Sequence, residues 1–245
     1  MSTYFKGYLT SFADDTALCY NSPSQNILEH DMQFDLDLMK IWFTFNKLTL
    51  SDKTKFLIFS LRDRSSSIER LIYKCVSCLM SVNKLYCNRC MNISRVDNIK
   101  YLGIYIDKNC SWNEHVKHLN KYMLTAFRTF YYLRKICPLK VMRIIYFSIV
   151  QSKLQYGITC WGGSYLTNIN SLIVAQKRVI RIMVGLQRAD HTFLHFKQLD
   201  ILPLRYLFIY RVLRIFYTRG GHTRGNINVY SERLRFKKSS NIVKS

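Results

Sequence analysis

Acidic side chains are nearly missing from the second half of this 245-residue chain. Residues 116–245 hold three Asp and Glu against 23 Lys and Arg, whereas residues 1–115 hold 12 against 14. The result is a basic module attached to a nearly neutral one, and its natural counterpart is a polyanion, either nucleic acid or an anionic membrane surface. No apolar stretch reaches spanning length, because Lys or Arg interrupts each candidate. The opening residues, MSTYFKGYLT, lack the basic lead and apolar core of a secretory signal. An intracellular protein, nuclear or cytoplasmic, without stable membrane insertion is therefore expected. Its eight cysteines should then be free or metal-bound, not bridged. There is no internal repeat and no low-complexity tract, and a hydrophobic content of 49% excludes global disorder.

The stretch SFADDTALCY, Ser11 to Tyr20, reads as two short strands joined by a tight turn, with Asp14 and Asp15 at the tip. Thr16 to Tyr20 reads as a buried strand. Carboxylates at such a turn are placed to hold divalent cations, because Mg²⁺ prefers oxygen ligands and keeps water and phosphate as the rest of its shell. Two such ions can clamp both oxygens of a phosphoryl transfer. On the dipeptide alone, a plain Asp-rich hairpin turn is the favoured reading.

Ser24 is placed to cap a helix that carries Leu28, Met32, Leu36, Met39 and Phe43 on one face, and that face should lie on a sheet. KLTLSDKTKFLIFS follows, with a short turn at Ser51–Lys53 and a strand expected over Phe56–Phe59. Leu61 to Leu71 reads as a loop. Cys75 and Cys78, then Cys87 and Cys90, form two CxxC pairs that could present four thiolates to one Zn²⁺, or stand as free thiols on an insertion hairpin. Ile99 to Ile106 reads as a hairpin strand with Gly103 in its middle, where a glycine marks a bulge or close backbone approach. From His115 the pattern turns to long helices. One spans about Glu114–Ile136, and one opens at Pro138 and runs to about Gln155. The next covers about Asn168–Leu186, with Lys177, Arg178 and Arg181 on one side; a short helix and a last one over Pro203–Tyr217 follow. His115, His118, His191 and His195 read as surface or boundary residues. Cys19, Cys110, Cys137 and Cys160 read as small buried hydrophobes.

Four blocks in order, FADDTAL, KLTLSDKTKFLIFS preceded by Trp42, KYLGIYID followed by Trp112 and HV, and YGITCWG with QKRVIR, resemble non-LTR retrotransposon reverse transcriptases of the jockey-like, LINE type. The resemblance covers about Ser11 to Tyr217. It implies an α+β fold: a partial polymerase palm, made of antiparallel hairpins with one packed helix, followed by an all-α basic thumb and C-terminal helical domain. The boundaries it implies are 1–112 for the palm part, 113–217 for the helices and 218–245 for a loosely ordered basic tail. It makes Asp14 a Mg²⁺ ligand with Asp15 its acidic neighbour, and sets Phe12 beneath the primer terminus. Lys53 would stand near the incoming nucleotide, and Tyr101, Leu102 and Gly103 would form the primer grip. Lys177, Arg178 and Arg181 would follow the phosphates of an RNA template paired to a DNA primer.

A whole enzyme of this kind also has an endonuclease, fingers, and a palm strand with a further metal-binding aspartate, none of which precedes Tyr4 in this chain. Residues 1–10 contain no Asp, and Asp31, Asp35 and Asp37 fall on a helix. The expected protein is thus a fragment of an RNA-directed DNA polymerase that needs the N-terminal half of the polymerase as its partner. The other reading is a non-catalytic, basic nucleic-acid-binding protein derived from such an element. A membrane-surface role for Leu204–Tyr217 is weaker than packing of that helix on its neighbours.

Overall fold

The computed structural model describes residues 5–59, 68–81 and 87–218. They form two compact units, Met1–His118 and Leu119–Ser245. The fold is mixed α+β, as expected, and its strands form three separate antiparallel hairpins.

The first unit opens with β1 (Tyr8–Phe12) paired to β2 (Asp15–Cys19), in a register that sets Phe12 opposite Asp15. Helix α1 (Gln25–Phe45) follows, with Ser24 as its N-cap residue. Its side chains at 32, 36 and 39 recur at helical spacing and are buried. Met32 and Leu36 form the core with Ile68, Leu71, Tyr73 and Ile93. Those last residues come from or flank β3 (Arg70–Tyr73) and β4 (Met91–Ser94), which pair with Tyr73 opposite Met91. Gln33 on α1 acts almost as a further strand. Its amide donates to the Ile72 carbonyl at 2.7 Å and accepts from the Ile72 N–H at 3.2 Å, so a helix side chain satisfies an exposed strand edge.

Several sequence expectations need correction here. Leu61–Leu71 is not wholly loop: residues 61–67 lie outside the described residues, and Ile68 and Leu71 are core residues at the entry to β3. Two apolar residues among charged ones were too few to give a readable period. Phe56–Phe59 forms no extended strand; it makes one parallel bridge, Phe56 to Arg95. The segment Thr16–Tyr20 is exposed or half-buried, not buried, because the hairpin pairs with no third strand among the described residues. Cys19, Cys110 and Cys160 are exposed, and Cys137 is half-buried.

Beyond the short helix α2 (Val76–Met80), β5 (Asn98–Tyr101) and β6 (Ile104–Asp107) form the third hairpin. Asp107 then gathers the next turn: its carboxylate accepts from the N–H groups of Asn109, Ser111 and Trp112 at 3.2, 2.9 and 2.7 Å. This satisfies backbone donors just ahead of α3 (Asn113–Leu133). His115, expected at the surface or its boundary, is buried, and its Nδ1 accepts from the Tyr105 N–H at 3.5 Å.

In the second unit α4 (Leu139–Ile145) runs through a π-helical turn, Tyr146–Gln151, into α5 (Ser152–Gln155). Gly157 takes a left-handed φ of 58° and starts the short α6 (Ile158–Trp161). Helices α7 (Leu166–Val184), α8 (Phe193–Gln198) and α9 (Leu204–Thr218) complete it. Trp161 is fully buried, and Gly162 follows because a Cβ there would lie 2.6 Å from the Ile158 carbonyl oxygen and 2.8 Å from Phe208. Gln176 is the polar centre. Its amide donates to the Tyr146 hydroxyl at 2.8 Å and to the Leu202 carbonyl at 3.0 Å, and its oxygen accepts from the Leu204 N–H at 2.9 Å. One buried side chain thus joins α7, the π-helical turn and the start of α9.

Burial, reinforced by His118, pulls the His115 imidazole down to about 4. The unfolded chain therefore binds more protons than the folded one between the ordinary histidine range, about 6.5, and that value. Stability should fall as pH drops through this window, and His115→Asn should flatten the dependence. Urea unfolding at a series of pH values checks it; an unchanged slope in the variant would contradict the assignment.

Candidate functional site

Asp14 and Asp15 are held out on the first hairpin. The turn consists of Ala13 and Asp14, and Asp15 is the first residue of β2, not part of the turn itself. Ala13 adopts a φ of 52°, a left-handed value that a Cβ disfavours. Both carboxylates are exposed, and Phe12 is 66% exposed beside them.

The hairpin is fixed at its base, away from the acidic tip. Asp35 on α1 is fully buried, and its two oxygens accept from the N–H groups of Lys6 at 3.0 Å and Gly7 at 2.9 Å. A Cβ on Gly7 would sit 2.6 Å from the Tyr20 ring, so only glycine fits there. Burial, followed by the Asp35 charge, pushes the Tyr20 phenol above its usual range. Sequence reading placed Asp35 on a helix and found no role for it. The signal was present: a carboxylate on the same stripe as Met32, Leu36 and Met39 must be buried with them, and a buried carboxylate needs donors.

The other two aspartates of α1 are also engaged. Asp37 pairs with Lys74 at 2.5 Å and accepts from Gln33 at 2.9 Å, and Asp31 lies 3.5 Å from the His30 ring. Asp14 and Asp15 leave two exposed carboxylates at the hairpin tip, oxygen donors of the kind that a hard divalent cation takes. Among the described residues no third carboxylate closes around them. Lys53 occupies an exposed turn, its N–H 3.3 Å from the Ser51 hydroxyl, with no bond to either aspartate.

Tyr101 ends β5, and Leu102 and Gly103 form the turn to β6. Leu102 and Gly103 have φ values of 46° and 80°, as a two-residue turn of the type that matches strand twist requires. Gly103 therefore lies in the turn and not within a strand, which corrects the bulge expectation. The Tyr101 hydroxyl is buried without a hydrogen-bond partner among the described residues.

The four paired cysteines converge. Their sulfurs all lie within 4.8 Å of one another, with Cys75 and Cys87 at 3.4 Å and Cys87 and Cys90 at 4.0 Å. Tetrahedral zinc with bonds near 2.3 Å needs sulfurs about 3.8 Å apart, so the cluster fits the ion. Cys75 is the N-cap residue of α2 and Cys78 lies within it, while Cys87 and Cys90 close a turn through the Cys90 N–H to the Cys87 carbonyl at 3.0 Å. The Cys75 N–H reaches Cys90 Sγ at 3.5 Å. The Arg89 N–H, then the Cys75 and Cys78 thiols, draw the Cys87 thiol down to about 6. The Cys87 N–H pulls on Cys78 in the same sense, but the Cys87 and Cys75 sulfurs and burial outweigh it, and Cys78 is pushed up to about 12.

On α7, Lys177 and Arg178 are exposed and Arg181 is half-buried. Arg178 stacks over the Phe127 ring at 4.5 Å, and Arg181 Nε donates to the Asp190 carbonyl at 3.0 Å. Two of the three cations are thus already positioned by protein contacts. No helix among the described residues is long and apolar enough to cross a membrane.

The chain is similar to a probable RNA-directed DNA polymerase from transposon BS of Drosophila melanogaster, with 25% identity over 180 residues. The match takes in 72% of this chain and 18% of that protein, so the chain spans less than a fifth of its relative's length. No protein-family model matches the chain, and no solved structure does.

Proposed function

We propose that the chain is part of an RNA-directed DNA polymerase of a non-LTR retrotransposon, comprising the later part of the palm and the helical thumb. The observation that carries this reading is the partial match to the transposon polymerase, together with an exposed aspartate pair at the tip of a hairpin, one in its two-residue turn and one opening the second strand. In this reading Asp14 and Asp15 are metal-side carboxylates, and Mg²⁺, when bound, would stabilise charge on the reacting phosphoryl group. Phe12 and the turn at Tyr101–Gly103 lie against the primer, and Lys53 lies near the nucleotide. The chain's own part is to present the two acids and to hold template and primer through Lys177, Arg178 and Arg181. Among the described residues the acids leave the ion cage incomplete, so nucleotidyl transfer is assigned to the assembly with the polymerase's N-terminal half and not to this chain alone. The strands of three unjoined hairpins have edges on which such a half can pair. The four cysteines hold Zn²⁺ as a structural staple at the end of the β3–β4 hairpin.

The full chain should bind a primed RNA template with an affinity that drops at least about tenfold between 50 and 200 mM salt. It should give no extension with Mg²⁺ by itself, and Asp14→Ala should leave binding within about twofold, since phosphates and not bases carry the affinity. Filter binding and primer extension read both. Salt-insensitive binding, or none, would contradict the reading; extension by the chain alone would overturn the division of the site between two halves. If the completed assembly extends a primer and Asp14→Ala abolishes this, a purely non-catalytic binder is excluded.

Metal analysis should find one zinc per chain. Cys87→Ser and Cys90→Ser should each lose it and lower the unfolding midpoint, because metal binding is linked to folding. Zinc content unchanged in both variants would sink the site.

A further inference from the structure

We propose that the cleft between α5–α6 and α9 binds one nucleotide unit of a single strand, its phosphate on Arg211 and Arg214 and its base against Tyr156. The proposal rests on the reading that this chain handles nucleic acid, and it gives the start of the YGITCWG block, Tyr156–Thr159, a ligand that the resemblance did not assign.

The cleft encloses about 440 Å³, within the range of pockets that hold small organic ligands. Arg211 and Arg214 stand three residues apart on α9, so both side chains fall on the face that lines it. Across from them lie Tyr156, Gly157 and Thr159. Gly157, left-handed at the junction of α5 and α6, turns the backbone there without a side chain.

Charge balance identifies the ligand class. Between residues 119 and 218 the chain has fifteen Lys and Arg but only two acids, Asp190 and Asp200. Both are occupied elsewhere: Asp190 accepts from the Gln187 N–H at 2.7 Å, and Asp200 pairs with Arg143 at 3.2 Å. No acid lines the cleft. Arg211 Nε is nevertheless buried, with no hydrogen-bond acceptor among the described residues. A buried guanidinium nitrogen without an acceptor is costly, and the described residues supply none. A phosphate offers what is lacking, since arginine matches its oxygens in pairs.

Tyr156 distinguishes a strand from a bare anion. It lines the same cleft and is 53% exposed, leaving a ring on which a base can stack. A duplex keeps its bases inside and could use only the arginines. A single strand uses both.

The test uses the full chain with a fluorescein-labelled single-stranded RNA and a duplex of equal length, read by anisotropy at several salt concentrations. Arg211→Gln with Arg214→Gln should weaken single-strand binding about tenfold or more and reduce the salt slope by about one. Tyr156→Leu should weaken the single strand about fivefold or more and leave the duplex within about twofold. Lys177→Gln with Arg178→Gln, on another helix, should weaken both forms alike. Folding of each variant is checked by circular dichroism. If the arginine variant is folded and binds the single strand as the wild type does, the cleft is wrong while nucleic-acid binding stands. If the wild type binds neither form, the underlying reading fails and the cleft with it. If calorimetry finds AMP or inorganic phosphate bound at Arg211 and Arg214 while strand affinity is unmoved by the variant, the ligand is a free phosphate compound and the strand assignment is overturned.

Discussion

A single buried carboxylate fixes the part of this molecule that carries its acidic pair. Asp35 sits on the apolar stripe of α1 and receives the backbone N–H groups of Lys6 and Gly7. Charge-assisted bonds of this kind contribute about 1.5–3 kcal/mol each. The alternative, a carboxylate sealed in the core with no donors, is far costlier. The hairpin has little else to hold it. It pairs with no further strand among the described residues, and most of its side chains are exposed. The Asp35 contacts and the close fit of Gly7 against Tyr20 fix its base, and the short register then carries Asp14 and Asp15 to the far end. Anchor and acids are separated, so the tip stays open while its root is rigid.

The second unit solves a different problem. With fifteen cations against two acids between residues 119 and 218, it cannot neutralise itself, and internal ion pairs contribute little to its cohesion. Its cohesion comes from apolar burial around Phe130, Tyr146, Trp161 and Leu172, with Gln176 as a buried amide that satisfies three partners. A neutral hydrogen-bonding hub suits such a setting, because it adds specificity without adding charge. The excess positive charge is left for an external polyanion. Some cations, such as Arg178 on Phe127, are held in place by stacking and not by an acid.

Much of the fold was legible because long amphipathic helices announce themselves. The spacing of Met32, Leu36 and Met39 and the Pro138 start match the structure. The paired cysteines were legible too, since CxxC spacing brings two sulfurs together locally. That both pairs meet is a tertiary fact. What stayed hidden were short strands and single polar residues. β3 is four residues long, too short for its alternation to stand out from loop sequence. Gly103 was read as a strand glycine because nothing in KYLG signals that Leu102 also takes a left-handed conformation. Asp35, Asp107 and Gln176 work through backbone groups distant in sequence or bunched in a turn, and such partners leave no mark on periodicity.

The account therefore turns on a root held rigid by one buried acid beneath a tip that presents two exposed ones. Amide hydrogen exchange on Asp35→Asn, compared with the wild type, tests this most directly. Asparagine keeps the shape but lacks the charge and one acceptor. Residues 6–20 should exchange about tenfold faster or more, while the core of α1 from 32 to 39 keeps its protection. Unchanged exchange across residues 6–20 in a folded variant would mean that something other than Asp35 holds the hairpin, and the structural basis for presenting Asp14 and Asp15 would be lost.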